Sequence, residues 1–327
     1  MMKKLIYLLP LMLLWACTGK NVLFHNGNSD YTIVIDENAP ASEQYAASEL
    51  QTWLKEVCGV TLPIVGLDGG EEGKRLVVGY NPIVKDLVPM AQPQSPSDYS
   101  FTWCSKGGDI LFWGGCERGT LYSVYDFLEE ELGIRWYSED VTVVPEKKKW
   151  SFSKLYNQET PALLVRDNCM LAPRINAVYS ARLRNNFTRL PGKEPGTTLP
   201  GTAEGYWGVH AMAYHLPADK YFKEHPEYFS LYNGKRSADQ LCLSNPDVLK
   251  ICIESMRKVM RENPDFMIYS MEQLDNLHPC QCECPGCQAL INKYGGDSGI
   301  MVWFVNQVAD ALKDEFPDKY GGTFAYR

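Results

Sequence analysis

Residues 240–271, QLCLSNPDVLKICIESMRKVMRENPDFMIYSM, decide the fold class of this chain. They open with a short apolar strand, 240–243, and continue in a helix, 246–262, whose first position is Pro246, a residue suited to the start of a helix. A second apolar run, 266–271, follows the helix as another strand. A strand, a helix and a strand in this order predict two parallel strands joined by a crossover helix.

The same alternation continues on both sides of this stretch. Apolar runs at 162–165 and 207–212 precede it, and a run at 322–326 follows it. A strongly patterned helix at 299–316 lies before the last of these runs, and Pro317 ends it. About five strand–helix units in a row predict an α/β architecture of the TIM type, the (β/α) barrel.

The second half of the chain is too short for a closed barrel. A complete barrel takes about 250 residues, whereas about 170 follow residue 160. We therefore expect residues 160–327 to form a truncated (β/α) barrel that lacks about three units. A smaller open α/β sheet of five strands is the alternative.

The first half has a different pattern, which predicts a small α+β domain over residues 22–150. Its predicted elements are a strand at 31–35, a helix at 41–57 before Gly59, a hairpin of 99–104 and 109–113, and a helix at 119–132 before Gly133. The polar residues 146–160 are predicted to form a linker to the second domain.

Composition indicates a folded protein and excludes one class of partner. The 327 residues provide for about two domains, and 45% of them are hydrophobic. The formal net charge of −8 argues against non-specific binding to nucleic acid.

The N-terminus has the layout of an export signal. A basic start, Met1–Lys4, precedes the apolar run Leu5–Leu14, which is too short to span a bilayer comfortably. The sequence then reads Leu-Trp-Ala-Cys and ends at Cys17, which resembles a bacterial lipobox. We therefore expect residues 1–17 to include a lipoprotein signal peptide and Cys17 to carry a lipid that anchors the exported protein to the bacterial membrane. The alternative is a cleaved signal that removes Cys17.

Two stretches of the first half carry a resemblance to glycoside hydrolases. Residues 114–128, GGCERGTLYSVYDFL, and 132–137, LGIRWY, resemble the N-terminal domain of family 67 α-glucuronidases, a pattern shared by the accessory domain of family 20 β-hexosaminidases. The resemblance implies an accessory domain of a glycan-processing protein.

The second half resembles the domain of unknown function 4838, found in exported proteins of gut Bacteroidetes. The matching residues are HPEYF at 225–229, GKR at 234–236, QLCLSNP at 240–246, Asp275-Asn276, and the Cys-x-Cys-x-x-Cys at Cys282, Cys284 and Cys287. The sequence departs from the pattern at Cys280, which is an extra cysteine, and at Glu272, where the family more often has a small polar residue.

Taken together, the resemblances imply hydrolysis of uronic-acid or N-acetylhexosamine glycans by two carboxyl groups. Asp275, Glu272 and Asn276 follow the fourth predicted strand, and barrel enzymes place catalytic groups at the C-terminal ends of strands. Asp275 is our first choice for the general acid and Glu272 the second, while Asn276 would bind substrate. Either carboxylate could instead cap a loop. The resemblance places the second catalytic carboxylate on later strands, beyond the end of this chain.

Five further residues are predicted to bind the glycan substrate: Arg166, Asp167, Arg184, His210 and His225. Guanidinium groups suit the carboxylate of a uronic acid, and the histidines could hydrogen-bond sugar hydroxyls. Surface or helix-capping arginines and structural histidines are the alternatives.

Four cysteines are packed into residues 280–287, CQCECPGC. Cys280, Cys282, Cys284 and Cys287 could form disulfides in an exported protein, hold a structural zinc ion, or remain free thiols. Cys242 is predicted to be a small buried core residue. No cofactor other than this zinc ion is expected. A non-catalytic glycan-binding surface lipoprotein and an inactive truncated product are the alternatives to an enzyme.

Overall fold

The computed structural model describes residues 20–95, 98–166, 170–186, 206–264, 266–275 and 282–324. The chain divides into two compact units, residues 1–199 and 200–327. The functional domains predicted at 22–150 and 160–327 stay predictions. None of the helices in the described ranges has both the length and the apolar character needed to cross a membrane.

The first unit is built around a six-stranded sheet. Its elements are β1 (Asn21–His25), β2 (Thr32–Ile35), α1 (Ala41–Cys58), β3 (Ile64–Val65), β4 (Arg75–Val78), α2 (Pro82–Leu87), β5 (Phe101–Lys106), β6 (Asp109–Gly114), α3 (Glu117–Glu130), β7 (Arg135–Trp136), β8 (Thr142–Val143), β9 (Lys149–Phe152), β10 (Tyr156–Glu159), α4 (Leu171–Ile175) and α5 (Ala177–Arg182). The strand order is β10-β5-β6-β4-β2-β3, with β2, β3, β4 and β6 parallel and β5 and β10 antiparallel to their neighbours.

Helices α1 and α3 provide the apolar faces that cover this sheet. The predicted stripe of α1 is buried in the main core, and Gly59 ends the helix in the left-handed conformation at φ 77°. Gly114 and Gly119 let α3 begin against the sheet, because a Cβ on Gly114 would lie 2.4 Å from the Cα of Gly119. The predicted helices and the hairpin of β5 and β6 are therefore confirmed.

Two predictions about residues 146–165 are wrong. Residues 146–160 are not a free linker, because β9 pairs with β1 and β10 pairs with β5. Residues 162–165 do not form a strand. Their backbone is held instead by the side chain of Asn186, which accepts from the Arg166 amide at 2.7 Å and donates to the Leu164 carbonyl at 2.6 Å.

The second unit combines a parallel sheet, a hairpin and several helices. Its elements are β11 (Tyr206–Trp207), α6 (Met212–His215), α7 (Ala218–Tyr221), β12 (Phe229–Tyr232), β13 (Lys235–Leu241), α8 (Pro246–Glu262), β14 (Ile268–Ser270), α9 (Pro285–Tyr294), α10 (Asp297–Leu312) and β15 (Tyr320–Gly322). The parallel sheet has the order β11-β14-β15.

Helix α8 confirms the sequence pattern on which the fold class depends. Asn245 caps it by accepting from the Asp247 amide at 2.9 Å, and Pro246 occupies its first turn. Its buried face carries Val248, Cys252, Met256, Val259 and Met260. This face joins the core that α10 and β14 also enter, so the crossover helix is stabilised by burial of its apolar stripe.

The strand predicted at 240–243 is not part of the parallel sheet. Its first two residues are the end of β13, which pairs antiparallel with β12. The turn between them is Asn233-Gly234, with φ 49° and 73°, the arrangement expected of a tight hairpin. Five parallel strands are predicted for the second domain, and the described residues contain three of them, β11, β14 and β15. The fold is mixed α/β, and the described residues show no closed barrel.

Candidate functional site

Polar side chains gather at the C-terminal ends of the three parallel strands of the second unit. His210 follows β11, the segment Glu272–Asp275 follows β14, and Phe324 follows β15. Because the strands are parallel, their C-terminal ends meet at one edge of the sheet. His210, Glu272 and Asp275 are predicted site residues, and the structure brings these three together.

Glu272 lies at the centre of this group and is fully buried. Its Oε2 accepts a hydrogen bond from the His210 amide at 3.0 Å, and its backbone carbonyl accepts from the Met212 amide at 3.0 Å. Its Oε1 is buried and has no hydrogen-bond partner among the described residues. Burial raises the pKa of the Glu272 carboxyl, because the charged form loses its water. The arrangement therefore favours a proton-carrying carboxyl group.

His210 is held in an unusual backbone conformation beside this carboxyl. Its φ is 54°, in the left-handed region that non-glycine residues rarely adopt. The ring Nδ1 donates to the Gln273 carbonyl at 2.7 Å, which leaves Nε2 as the acceptor of the neutral ring. Nε2 lies 3.9 Å from Oδ2 of Asp275, and the ring packs edge-on against Phe324 with centroids 5.5 Å apart.

Asp275 differs from Glu272 in its contact with water. Its side chain is 65% exposed, whereas Glu272 is inaccessible. The two carboxyl groups of the site thus have different environments, and burial raises the pKa of Glu272. Asn276, predicted beside them, lies outside the described residues.

His215 is a buried histidine behind the site. Its Nε2 donates to the Ser270 carbonyl at 3.0 Å, and its Nδ1 accepts from the Ser255 hydroxyl at 2.9 Å. Burial lowers its pKa to about 4, because the charged ring would lose its hydration.

This environment predicts a loss of stability in acid. The folded-state pKa lies below the ordinary value, so the stability is fully present above about pH 6.5 and is lost as pH falls through about 4. We expect a loss of about 3 kcal/mol in the free energy of unfolding from this group over that interval. Denaturation at several pH values should show a flatter dependence for His215→Gln than for the wild type. The exposed His225→Gln serves as the control, and an unchanged pH dependence in His215→Gln would contradict the assignment.

The structure places His225 apart from the strand ends. Its Nδ1 lies 3.1 Å from the Glu227 carboxylate, and its ring stacks on Tyr228 with centroids 4.6 Å apart. Both partners of the His225–Glu227 pair are about half exposed. His225 is therefore part of a surface pair, and the structure does not bring it to Glu272.

The two predicted arginines belong to the first unit and already have partners there. Arg184 pairs with Asp126, at 2.9 Å, and with Glu129. Arg166 donates from Nε to the Arg184 carbonyl at 2.8 Å and from Nη1 to the Leu163 carbonyl at 2.9 Å. These contacts hold the guanidinium groups within the unit. Asp167 lies outside the described residues.

A second cluster in the second unit consists of four buried cysteines. We call it the four-cysteine centre: Cys242, Cys282, Cys284 and Cys287. Their sulfur atoms all lie within 4.8 Å of one another. The prediction that Cys242 is a simple core residue is therefore incomplete, because it joins the motif from 40 residues away in sequence. Cys280, predicted to be part of this cluster, lies outside the described residues, as does Cys17.

Comparison with solved structures identifies similar chains among glycoside hydrolases. They include a Flavobacterium johnsoniae chitobiase of family GH20 (14% identity, TM-score 0.45), a family GH115 4-O-methyl-α-glucuronidase with specificity for decorated arabinogalactans (15%, 0.46), and a Bacteroides fragilis β-N-acetylhexosaminidase (13%, 0.37). The matches cover 93%, 87% and 93% of this chain. The chain spans 50%, 40% and 63% of those three proteins, less than two thirds of each.

Family membership follows from the sequence itself. A search among curated proteins found no significant match. The family model for the domain of unknown function DUF4838 matches residues 136–327, which is more than half of the chain. The chain therefore belongs to the DUF4838 family.

Proposed function

We propose that this chain is part of an exported glycoside hydrolase-like protein in which Glu272 is the proton-carrying group. The observation that supports the proposal is the burial of Glu272 at the ends of the parallel strands, with Oε1 lacking a partner among the described residues and a raised pKa. We also propose that the three parallel strands belong to a (β/α) barrel, whose active sites lie at this end of the strands.

The chemistry of glycoside hydrolysis suits two carboxyl groups in unlike environments. One carboxyl must hold a proton for the leaving oxygen, and the other must activate water or act as the nucleophile. Glu272 has the buried environment that favours the protonated form. Asp275 faces solvent, and it lies beside Nε2 of His210, which can accept a hydrogen bond from a sugar hydroxyl. In this proposal Glu272, and not Asp275 as expected from sequence, is the general acid.

The substrate class rests on the sequence resemblance of residues 114–137. We propose uronic-acid or N-acetylhexosamine glycans, as in the families that this stretch resembles. The contacts of Arg166 and Arg184 within the first unit give no independent support for a uronate. Both substrate classes therefore belong in the first test.

Glycan binding without hydrolysis is a second candidate function, and one observation favours it. Glu272 is inaccessible in this structure and accepts a hydrogen bond from the amide of His210. In this second candidate its sole role is to hold the His210 backbone at positive φ. In that case His210 and Asp275 would form a binding surface, and no bond of the glycan would be broken.

A glycan panel separates the two candidates. The full-length protein is incubated with glucuronic-acid-bearing and N-acetylhexosamine-bearing oligosaccharides, and released sugar and binding heat are both measured. Hydrolysis of either class supports the enzyme. Binding without released sugar selects the binding protein, and neither binding nor release contradicts both.

We further propose that the exported protein is lipid-anchored through Cys17. The support is the basic start, the short apolar run and the Leu-x-Ala-Cys ending of residues 1–17. Replacement of Cys17 by Ser is expected to abolish fatty-acid labelling in cells and to release the protein from the membrane fraction, because the lipid is attached to this thiol. Labelling of the Cys17→Ser variant, or an unlabelled wild type, would contradict the anchor.

A further inference from the structure

The sulfur atoms of the four-cysteine centre have the spacing of a tetrahedral metal site. Sγ of Cys242 lies 3.6 Å from Sγ of Cys284, 3.8 Å from that of Cys287 and 3.8 Å from that of Cys282. Four sulfurs bound to one zinc ion at about 2.3 Å lie about 3.8 Å apart along the edges of the tetrahedron. The three separations therefore match those of a common metal ligand.

The same distances argue against disulfides in the centre. A disulfide joins two sulfurs at about 2.05 Å. Two separate disulfides would not require all four sulfurs to lie close together. Here all four cysteines are unbonded and mutually close. They come from two segments distant in sequence, the residue that follows β13 and residues 282–287, and zinc sites usually draw their ligands from two such segments.

Hydrogen-bond donors surround the sulfurs in the way that thiolates require. The Leu231 amide donates to Sγ of Cys282 at 3.2 Å, and the Cys287 amide donates to Sγ of Cys284 at 3.5 Å. Cys284 is also the N-cap residue of α9, so its sulfur lies at the positive end of the helix dipole. Nη1 of Arg236 lies 3.9 Å from Sγ of Cys282. These groups offset the net negative charge of four thiolates around a divalent ion.

Ser244 and Gly286 also lie beside the four-cysteine centre. The Ser244 hydroxyl lies 3.2 Å from Sγ of Cys287 and 3.5 Å from Sγ of Cys284. A Cβ on Gly286 would lie 2.7 Å from this hydroxyl, so a larger residue here would force the Ser244 side chain to shift. All four cysteines are less than a tenth exposed. Four cysteine ligands would fill the tetrahedral coordination sphere, which is typical of a structural site and not of a catalytic one.

We propose that the four-cysteine centre binds one Zn²⁺ ion, with Cys242 and not Cys280 as the fourth ligand. Zinc is favoured over ferrous iron because N and S sites bind Zn²⁺ more tightly, and four tetrahedral thiolates suit it. The ion would tie residues 282–287 to the end of β13. From β13, Gln240 donates to the Leu274 carbonyl at 2.8 Å and accepts from the Leu274 amide at 3.3 Å, so the metal also steadies the segment beside Asp275.

Metal analysis of the full chain tests this proposal. We expect about one zinc ion per chain after purification without added metal, and loss of most of it in Cys242→Ala. Two matched controls should keep the ion. Cys252→Ala removes a buried cysteine of α8 outside the centre, and Cys280→Ala removes the extra cysteine of the motif. Loss of zinc in Cys280→Ala, or its retention in Cys242→Ala, would overturn the ligand set.

A measurement on the wild type keeps the test valid if Cys242→Ala fails to fold. After exchange of the bound metal for Co²⁺, the protein should show the intense visible absorption of tetrahedral cobalt and the near-ultraviolet charge-transfer bands of cobalt–thiolate bonds. Iron in place of zinc, four free thiols without metal, or two disulfides in a non-reducing thiol count would each overturn the proposal.

Discussion

Glu272→Gln is expected to lower the rate of sugar release by about 10²–10⁴-fold, the usual loss when a general acid is removed. The amide keeps the size of the side chain, and its oxygen can still accept from the His210 amide, so the fold and the binding of glycan should change little. The variant lacks the proton that the leaving oxygen requires. Released sugar and glycan affinity, measured on the same preparation, separate the two effects.

The pH profile gives this prediction a second readout. A general acid works while it is protonated, so wild-type activity should fall as pH rises through the raised pKa of Glu272. The residual activity of Glu272→Gln should lack this alkaline fall. A role limited to holding the His210 backbone would leave the shape of the profile unchanged.

Two further variants serve as comparisons for Glu272→Gln. Glu227→Gln removes an exposed carboxylate of the His225 surface pair and should leave the rate unchanged. Asp275→Asn tests the other carboxyl of the site. Full activity in Glu272→Gln combined with a large loss in Asp275→Asn would show that Asp275 is the acid and would contradict the assignment made from burial.

Asp109→Ala is expected to lower the free energy of unfolding of the first unit by about 3–5 kcal/mol, because it breaks a buried ion pair. Asp109 is 1% exposed and accepts three hydrogen bonds from Arg75: from the amide at 2.8 Å, from Nε at 3.0 Å and from Nη2 at 2.6 Å. The Arg75 side chain is only 14% exposed, so its charge would remain largely buried without its partner. Chemical denaturation followed by tryptophan fluorescence measures the loss.

The neighbouring pair of Lys74 and Glu71 provides the matched control. Their charged groups lie 3.3 Å apart, but Glu71 is 72% exposed and Lys74 is 37% exposed. An exposed pair contributes about 0–1 kcal/mol, so Glu71→Ala should leave the unfolding curve almost unchanged. Equal effects of Glu71→Ala and Asp109→Ala would contradict the importance given to burial.

Local signals in the sequence predicted individual elements better than their pairing. Helix α8 was found because the Asn245-Pro246 start and the apolar spacing are local properties. The strand that precedes α8 pairs with β12 and not with the parallel sheet, and the sequence signal for this pairing is the hairpin turn Asn233-Gly234. The residues of the predicted linker form β9 and β10 because they pair with β1 and β5, which are distant in sequence. A local sequence pattern does not indicate such long-range pairing.

The sites show the same division between local and long-range information. The segment Glu272–Asp275 was predicted because it follows a strand. The ranking of its two carboxyl groups depends on burial, which is set by the backbone around His210, about 60 residues earlier. The cysteine motif at 282–287 is evident in the sequence. Cys242 joins it only because the fold places the residue after β13 beside that motif. The arginines suited a uronate by type, and the structure shows that Arg184 pairs with Asp126 and Glu129.

The protonation of Glu272 is the central claim, and it can be measured without knowledge of the substrate. Carboxyl carbons of ¹³C-labelled glutamate are followed by NMR as pH is changed, and the signal absent from Glu272→Gln identifies this residue. We predict that Glu272 titrates clearly above the ordinary glutamate value of about 4.3, because burial disfavours its charged form. Titration at or below that value would contradict the account.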